Sequence, residues 1–258
     1  MLNLDEIRSF YPEVLHRFPR FMLREYFQFK ILEIIYDSKY SNTLCFMGGT
    51  CLRIVHNNRR FSEDLDFDNI GLQSSEFDEM ADIIGKELKR EGYKVEFKTI
   101  KKGAWHCHIK FPGLLFEENL SGYREEKILI RFDTEPQNYD YQPDKPILNK
   151  FDIFTTILST PLPVLLSQKL FAIINRKRKQ GRDFYDTVFL LGKDIKPDYN
   201  YLDEKAGITN STALKSIILD ICNSLNMRTL AKDVEPFIFN TKDIKKVELF
   251  PEYIKQTF

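Results

Sequence analysis

Across residues 19–37 the apolar positions Phe21, Leu23, Tyr26, Phe27, Phe29, Ile31, Leu32, Ile34 and Ile35 recur at spacings of three and four, which predicts a largely buried helix. A short apolar run, Leu44 to Met47, then stops at Gly48 and Gly49, and residues 50–55 resume helical spacing through Leu52 and Val55. Strand, glycine turn and short helix are therefore expected in that order. Residues 60–67 alternate polar and apolar towards their end, the mark of a strand with one wet and one dry face. Residues 74–90 predict an amphipathic helix with Phe77, Met80, Ala81, Ile84 and Leu88 on one side, and residues 93–99, 105–111 and 127–134 alternate as strands. Residues 136–150, rich in Pro, Asp, Asn and Tyr, read as a long loop or a boundary. Beyond them the strand signals fade, and residues 163–178, 182–191 and 209–225 carry helical periodicity. The pattern predicts an α/β (α+β) fold: a mixed β-sheet with flanking helices over residues 1–150, then a mainly helical domain over 151–258.

Composition narrows this picture. With 258 residues, 43% hydrophobic and 22 Phe, the chain can bury a sizeable core and lies far from the composition of disorder. Lys and Arg number 38 against 38 Asp and Glu, so a globally basic nucleic-acid coat is excluded and any charged function must be local. The 4 cysteines form no CxxC pair and no zinc-like spacing, which fits a reducing, cytoplasmic compartment. The N-terminus lacks a signal-peptide pattern, and the most apolar stretch, residues 162–174, is interrupted by Ser167, Gln168 and Lys169, so no membrane segment is expected.

Candidate chemistry begins with Asp64 and Asp66. Two apart on a predicted strand, their carboxylates share one face while Leu65 and Phe67 pack the other. Adjacent carboxylates repel unless a cation neutralises them, and hard oxygen ligands suit Mg²⁺ or Mn²⁺ completed by water and substrate phosphates. A lone DxD also occurs as a solvated surface pair. The calcium alternative, in which Asp64, Asp66 and Asp68 would open an EF-hand loop, fails at Asn69, where glycine is needed, and at Ser75, where glutamate is needed. Upstream, Gly48-Gly49-Thr50 at a strand end can bring backbone amides to a phosphate, or can simply be a tight turn capped by Thr50. A turn that cradles phosphate and a strand that holds metal would together grip a nucleoside triphosphate. Asp133, on the polar face of residues 128–133 with Arg131, is a third candidate carboxylate if its strand neighbours the first pair, and otherwise only ends a strand.

Lys169 stands in an apolar stripe with Leu165, Leu166, Ala172 and Ile173, so its ammonium either snorkels to an edge or meets an anion, for which a nucleotide phosphate would serve. The same helix ends in Arg176, Lys177, Arg178, Lys179 and Arg182, which reads as a solvated, dipole-complementing cap or as a patch for phosphate or RNA backbone. Asp183 and Asp186 follow at i, i+3.

These blocks in this order resemble the AbiEii/AbiGii toxin family of the nucleotidyltransferase superfamily. The match is carried by residues 46–53 (FMGGTCLR), residues 60–67 (RFSEDLDF), residues 168–170 (QKL) with Ala172, and residues 181–186 (GRDFYD). It spans roughly residues 20–195 and leaves the C-terminal 60 or so residues without a counterpart. The resemblance implies a nucleotidyltransferase-like mixed sheet joined to a helical domain that completes the active-site cleft. It implies transfer of a nucleoside monophosphate from an NTP to an acceptor with loss of pyrophosphate, in some relatives at the acceptor end of tRNA. Carried over by motif, Gly48, Gly49, Thr50, Arg53 and Ser62 would hold the nucleotide and Asp64 and Asp66 the Mg²⁺ or Mn²⁺. Lys169 would contact the nucleotide, and Arg182, Asp183 and Asp186 would complete the second half of the site; Asp133 lies outside the matched blocks and stays the candidate third catalytic carboxylate from its strand position alone. A cognate antitoxin is the implied protein partner. Transfer to a small molecule such as an aminoglycoside, transfer to a protein hydroxyl, and a catalytically silent nucleotide-binding module are the competing readings.

Overall fold

The computed structural model describes residues 2–258. Two compact units are formed, and the chain passes between them more than once. The first takes the chain up to Val55, then Ser62–Asn138 and Pro143–Ser159; the second takes His56–Phe61, Tyr139–Gln142 and Thr160–Phe258. An expected boundary at 150/151 would cut a hairpin, whereas the structure keeps that hairpin with the sheet.

In the first unit, α1 (Leu4–Arg8) is closed by a capping box between Asn3 and Glu6. α2 (Pro19–Tyr36) begins at a proline, whose missing N–H costs nothing in a first turn, and is buried on nearly every side. β1 (Leu44–Met47), α3 (Gly48–Ile54), β2 (Leu65–Asn69) and α4 (Ser74–Arg90) follow. β3 (Glu96–Lys102), β4 (Ala104–Pro112), the short α5 (Leu114–Glu117) and β5 (Lys127–Glu135) complete the main elements. The sheet has the order β1-β2-β5-β4-β3, with β2 and β5 parallel and every other neighbour antiparallel. Because β5 is inserted between β2 and β4, residues 67 positions apart become partners: Asp66 faces Asp133 and Leu65 faces Phe132.

Period-two alternation then sorts the faces. Leu65, Phe67, Cys107, Ile109, Phe111, Ile130 and Phe132 are fully or almost fully buried. Phe27 of α2 meets Phe111 with ring centroids 4.1 Å apart, and Phe77 of α4 stacks on Phe132 at 5.2 Å. Each such side chain is worth about 1.5–3 kcal/mol of burial. The opposite face carries Asp66, His106, His108, Arg131 and Asp133.

β2 starts at Leu65, later than the expected residue 60, because residues 59–61 pair elsewhere within the second unit. Phe61 N–H donates to the Phe237 carbonyl at 2.8 Å and Phe239 N–H to the Arg59 carbonyl at 3.1 Å. Two strands were not expected at all: β6 (Ile147–Lys150) and β7 (Ile153–Thr156) form a separate hairpin. At its turn Phe151 adopts φ +61°, a left-handed conformation, and Phe10, Tyr26 and Phe29 surround its ring at 5.0–5.3 Å.

The second unit is helical: α6 (Leu162–Asn175), α7 (Gly181–Leu191), α8 (Tyr199–Ala206), α9 (Ser211–Asn223), α10 (Met227–Val234), α11 (Lys245–Glu248) and α12 (Phe250–Thr257). Asp198, Asn210 and Asn226 cap α8, α9 and α10 through their side chains. No helix among the described residues is long and apolar enough to cross a membrane.

Candidate active site

β1 ends at Met47, opposite Asp66 on the antiparallel β2, so the glycine turn that opens α3 lies against the carboxylate strand. The contact is tight. Gly48 has φ +77°, and a Cβ built on it would stand 2.5 Å from Asp66 Oδ2 and 3.0 Å from Asp66 Cβ. Glycine is thus required twice, by the left-handed backbone and by the side chain it touches. Thr50, fully buried, donates its hydroxyl to the Asp64 carbonyl and ties α3 to the residue that precedes β2. Its side chain therefore works inside the fold, and Gly48 marks the surface that faces Asp66.

Around this contact the three expected carboxylates do come together. Asp66 and Asp133 are partners on adjacent strands, and Asp64 precedes Asp66 on the same face. Two of them are engaged by side chains without an expected role. Arg131 donates from Nε to Asp64 Oδ1 at 3.0 Å and from Nη2 to Asp64 Oδ2. The bond to Asp64 holds the Arg131 guanidinium further above its already high pKa. His106 on β4 places Nδ1 2.9 Å from Asp133 Oδ1. Asp68, next in the alternation, is buried and accepts the Gln137 N–H at 2.8 Å.

Among the described residues no group of three or more His, Cys, Asp or Glu side chains is arranged to hold a metal ion. Asp133, drawn to His106, is not part of a closed three-ligand cage. Asp64 and Asp66 nevertheless fit a divalent cation of the Mg²⁺ type, because their donors are hard oxygens at the start of β2 and such ions commonly take one or two carboxylates with water and phosphate. A side chain at residue 48 would fill the space beside Asp66 Oδ2, which only glycine leaves clear of a Cβ.

Within the helical unit a second charged cluster forms. Lys169 on α6 lies 3.2 Å from Asp183 Oδ1 and 3.0 Å from Asp186 Oδ2, both on α7. Arg60 grips Asp186 with Nε at 2.7 Å and Nη2 at 2.6 Å, and Asn58 Nδ2 adds a bond of 2.8 Å. Arg176 reaches Asp183 Oδ2 at 2.9 Å. Burial alone would raise the Asp186 carboxyl, but Arg60 and Lys169 outweigh it and hold it below its ordinary range. Burial likewise pulls Lys169 down, and Asp186 and Asp183 more than restore it. The anion expected beside Lys169 is therefore supplied first by its own unit. Gly181 opens α7 so close to α10 that a Cβ would fall 1.8 Å from the Leu230 carbonyl oxygen.

Other expected site residues are committed elsewhere. Arg53 turns inward, its Nε 2.7 Å and Nη2 3.1 Å from the two oxygens of buried Glu25, which also binds Lys150 at 2.7 Å and the Tyr11 hydroxyl at 2.9 Å. Ser62 is half-buried, and its carbonyl accepts from Gln28 Nε2 at 3.1 Å. In the basic tract, Arg176 serves Asp183 and Lys179 donates to the Ile174 carbonyl at 2.9 Å. Arg182 lies over the Phe237 ring at 5.1 Å, and together with Arg178 both line an open recess of about 290 Å³. Lys177 and Arg178 are exposed.

Arg60, Asn58, Arg131 and His106 are the participants that sequence reasoning missed. Arg131 and His106 carried a signal, since each is a polar residue at an outward position of an alternating strand in register with the carboxylates. Asn58 carried none.

No curated protein sequence matches this chain. Solved structures match its fold. JHP933 from Helicobacter pylori aligns over 92% of each chain at 14% identity with a TM-score of 0.54. MenT4, a nucleotidyltransferase toxin from Mycobacterium tuberculosis, aligns over 99% of this chain and 90% of its own at 15% identity with a TM-score of 0.57. The model of the nucleotidyl transferase AbiEii toxin family, a type IV toxin–antitoxin system, matches residues 30–232 and so spans the sheet, the carboxylates, Lys169 and both aspartates of α7. The chain accordingly belongs to the AbiEii family of nucleotidyltransferase toxins.

Proposed function

We propose that this nucleotidyltransferase moves a nucleoside monophosphate from an NTP to a hydroxyl of RNA, with tRNA as the acceptor, and that the reaction depends on a divalent cation. The observation that carries the reading is the contact of Gly48 with Asp66, which joins a phosphate-cradling turn to a metal-binding carboxylate. Asp64 and Asp66 would hold Mg²⁺ or Mn²⁺, which would neutralise phosphate charge at the reacting centre. The chain's own residues do the rest. Gly48 and Gly49 leave backbone room for the triphosphate, and Thr50 fixes the carbonyl of Asp64 so that the pair keeps its orientation.

Lys169 spends two of its three N–H donors on Asp183 and Asp186, which leaves one for a phosphate oxygen. The acceptor hydroxyl oxygen forms the new bond to the α-phosphorus as its proton passes to solvent water, the bond to the β-phosphate oxygen breaks, and pyrophosphate leaves with the electron pair. Lys177, Arg178 and Arg182 supply cationic contacts for the RNA backbone. A cognate antitoxin is the partner such a toxin would have, and an RNA acceptor would put the reaction in the cytoplasm.

The test is incubation of the protein with labelled NTPs, Mg²⁺ and total RNA beside an Asp66→Ala variant. Label should enter the RNA fraction with the wild type and stay at background with the variant. Label in protein or small-molecule fractions would give the acceptor to those classes instead. No label in any fraction would sink the transferase reaction proposed here, and label that persists in Asp66→Ala would sink the metal assignment.

A further inference from the structure

The polar face of the sheet gathers three carboxylates, Asp64, Asp66 and Asp133, and sets one permanent cation among them. Arg131 is not needed by the core. Ile130 and Phe132 on either side of it do the packing, on the opposite face, while its own side chain stays 45% exposed. Both of its bonds go to Asp64, one to each carboxylate oxygen, and Nε stands 4.0 Å from Asp133 Oδ2. A forked guanidinium thus covers the two oxygens that a divalent cation would need, and two cations on one carboxylate repel each other. Three carboxylates and one guanidinium leave a formal charge of −2, which one divalent ion cancels. A triphosphate then brings new negative charge, and the planar guanidinium matches phosphate as well as it matches carboxylate.

We propose that Arg131 is an exchangeable counter-cation: it neutralises Asp64 until a divalent ion takes that carboxylate, and its guanidinium then turns to the triphosphate of the incoming nucleotide. The proposal rests on the reading of Asp64 and Asp66 as the cation site. It makes cation and nucleotide binding mutually reinforcing, because each removes the charge that opposes the other.

The experiment measures Mn²⁺ binding without nucleotide, and NTP binding with Mn²⁺ present, by calorimetry and by the Mn²⁺ paramagnetic signal. Wild type, Arg131→Gln, Arg131→Lys and Asp66→Ala are compared, with no acceptor added. Arg131→Gln should bind Mn²⁺ at least about fivefold more tightly than wild type and bind NTP at least about fivefold more weakly. Arg131→Lys should fall between, since lysine keeps the charge and loses the fork, and it stands in should Arg131→Gln fail to fold. Unchanged or weaker Mn²⁺ binding in Arg131→Gln overturns the proposal, because Arg131 would then be a fixed partner that orients Asp64. Tighter Mn²⁺ binding with unchanged NTP affinity overturns it as well, as does Mn²⁺ binding indifferent to Asp66→Ala. These binding arms need no turnover: the expected pattern without any transferred label would sink the proposed transfer and leave the exchange at Arg131 standing.

Discussion

Arg60 and Lys169 bring two full positive charges into the helical unit, where an unpaired ion would cost several kcal/mol. Asp186 holds both, so it is the residue whose removal leaves the most charge uncompensated. Asp186→Ala should cost about 3–5 kcal/mol of unfolding free energy, read from denaturant midpoints. The pH dependence follows from the sign of the shift. Because the folded pKa lies below the ordinary 3.8, the unfolded chain takes up the proton first. The stabilisation is therefore complete at neutral pH, and it is lost as pH falls from about 4 through the folded value. Asp186→Asn should accordingly show a shallower acid limb than wild type below pH 4, and a parallel limb would mean that Asp186 is not ion-paired. At this scale the sequence spoke plainly about identity and poorly about partners. An aspartate pair at spacing two and a lysine in an apolar stripe are legible, because periodicity alone sets their faces. That Arg60 closes on Asp186, 126 positions away, is a tertiary fact with no local pattern behind it.

Elements were legible where one period ran long enough to exclude the others. α4 and β5 lie close to their expected bounds, because each shows a clean stripe or alternation. β6 and β7 were hidden, since four-residue strands beside prolines and aspartates look like loop, and only pairing with each other defines them. The crossing of α7 and α10 belongs to the same hidden class and depends on one missing methyl. A Cβ at Gly181 would meet the Leu230 carbonyl oxygen, which is backbone and has no rotamer to yield. Gly181→Ala should push α10 off α7 and destabilise the protein by about 1–3 kcal/mol or more, measured by chemical denaturation. Gly71→Ala, where the added methyl meets nothing within 4 Å and φ is not positive, is the control and should stay within about 0.5 kcal/mol. Equal stability of the two variants would mean that the close approach of α10 does not exist in solution.

At the scale of the whole chain, 38 acids and 38 bases cancel, so no long-range field draws a polyanion to this protein. What attraction exists must come from local groups, and the fold reduces their number. Of the five bases between 176 and 182, Arg176 is held by Asp183, Lys179 by a carbonyl and Arg182 lies over the Phe237 ring, which leaves Lys177 and Arg178 as the exposed cationic pair of that segment. Two phosphate contacts, or three if Arg182 swings off the Phe237 ring, set a shallow salt dependence. On the proposed RNA reading, the slope of log K against log salt should be about −2 to −3, and affinity should fall roughly 16- to 64-fold between 50 and 200 mM salt. Filter binding of labelled tRNA across that range measures it. Lys177→Glu with Arg178→Glu should flatten the slope by about 2 without lowering the melting temperature, because neither side chain packs in the core. A wild-type slope of about −6 or steeper would require an acceptor surface beyond residues 176–182, and an unchanged slope in the double variant would take the tract out of RNA binding altogether.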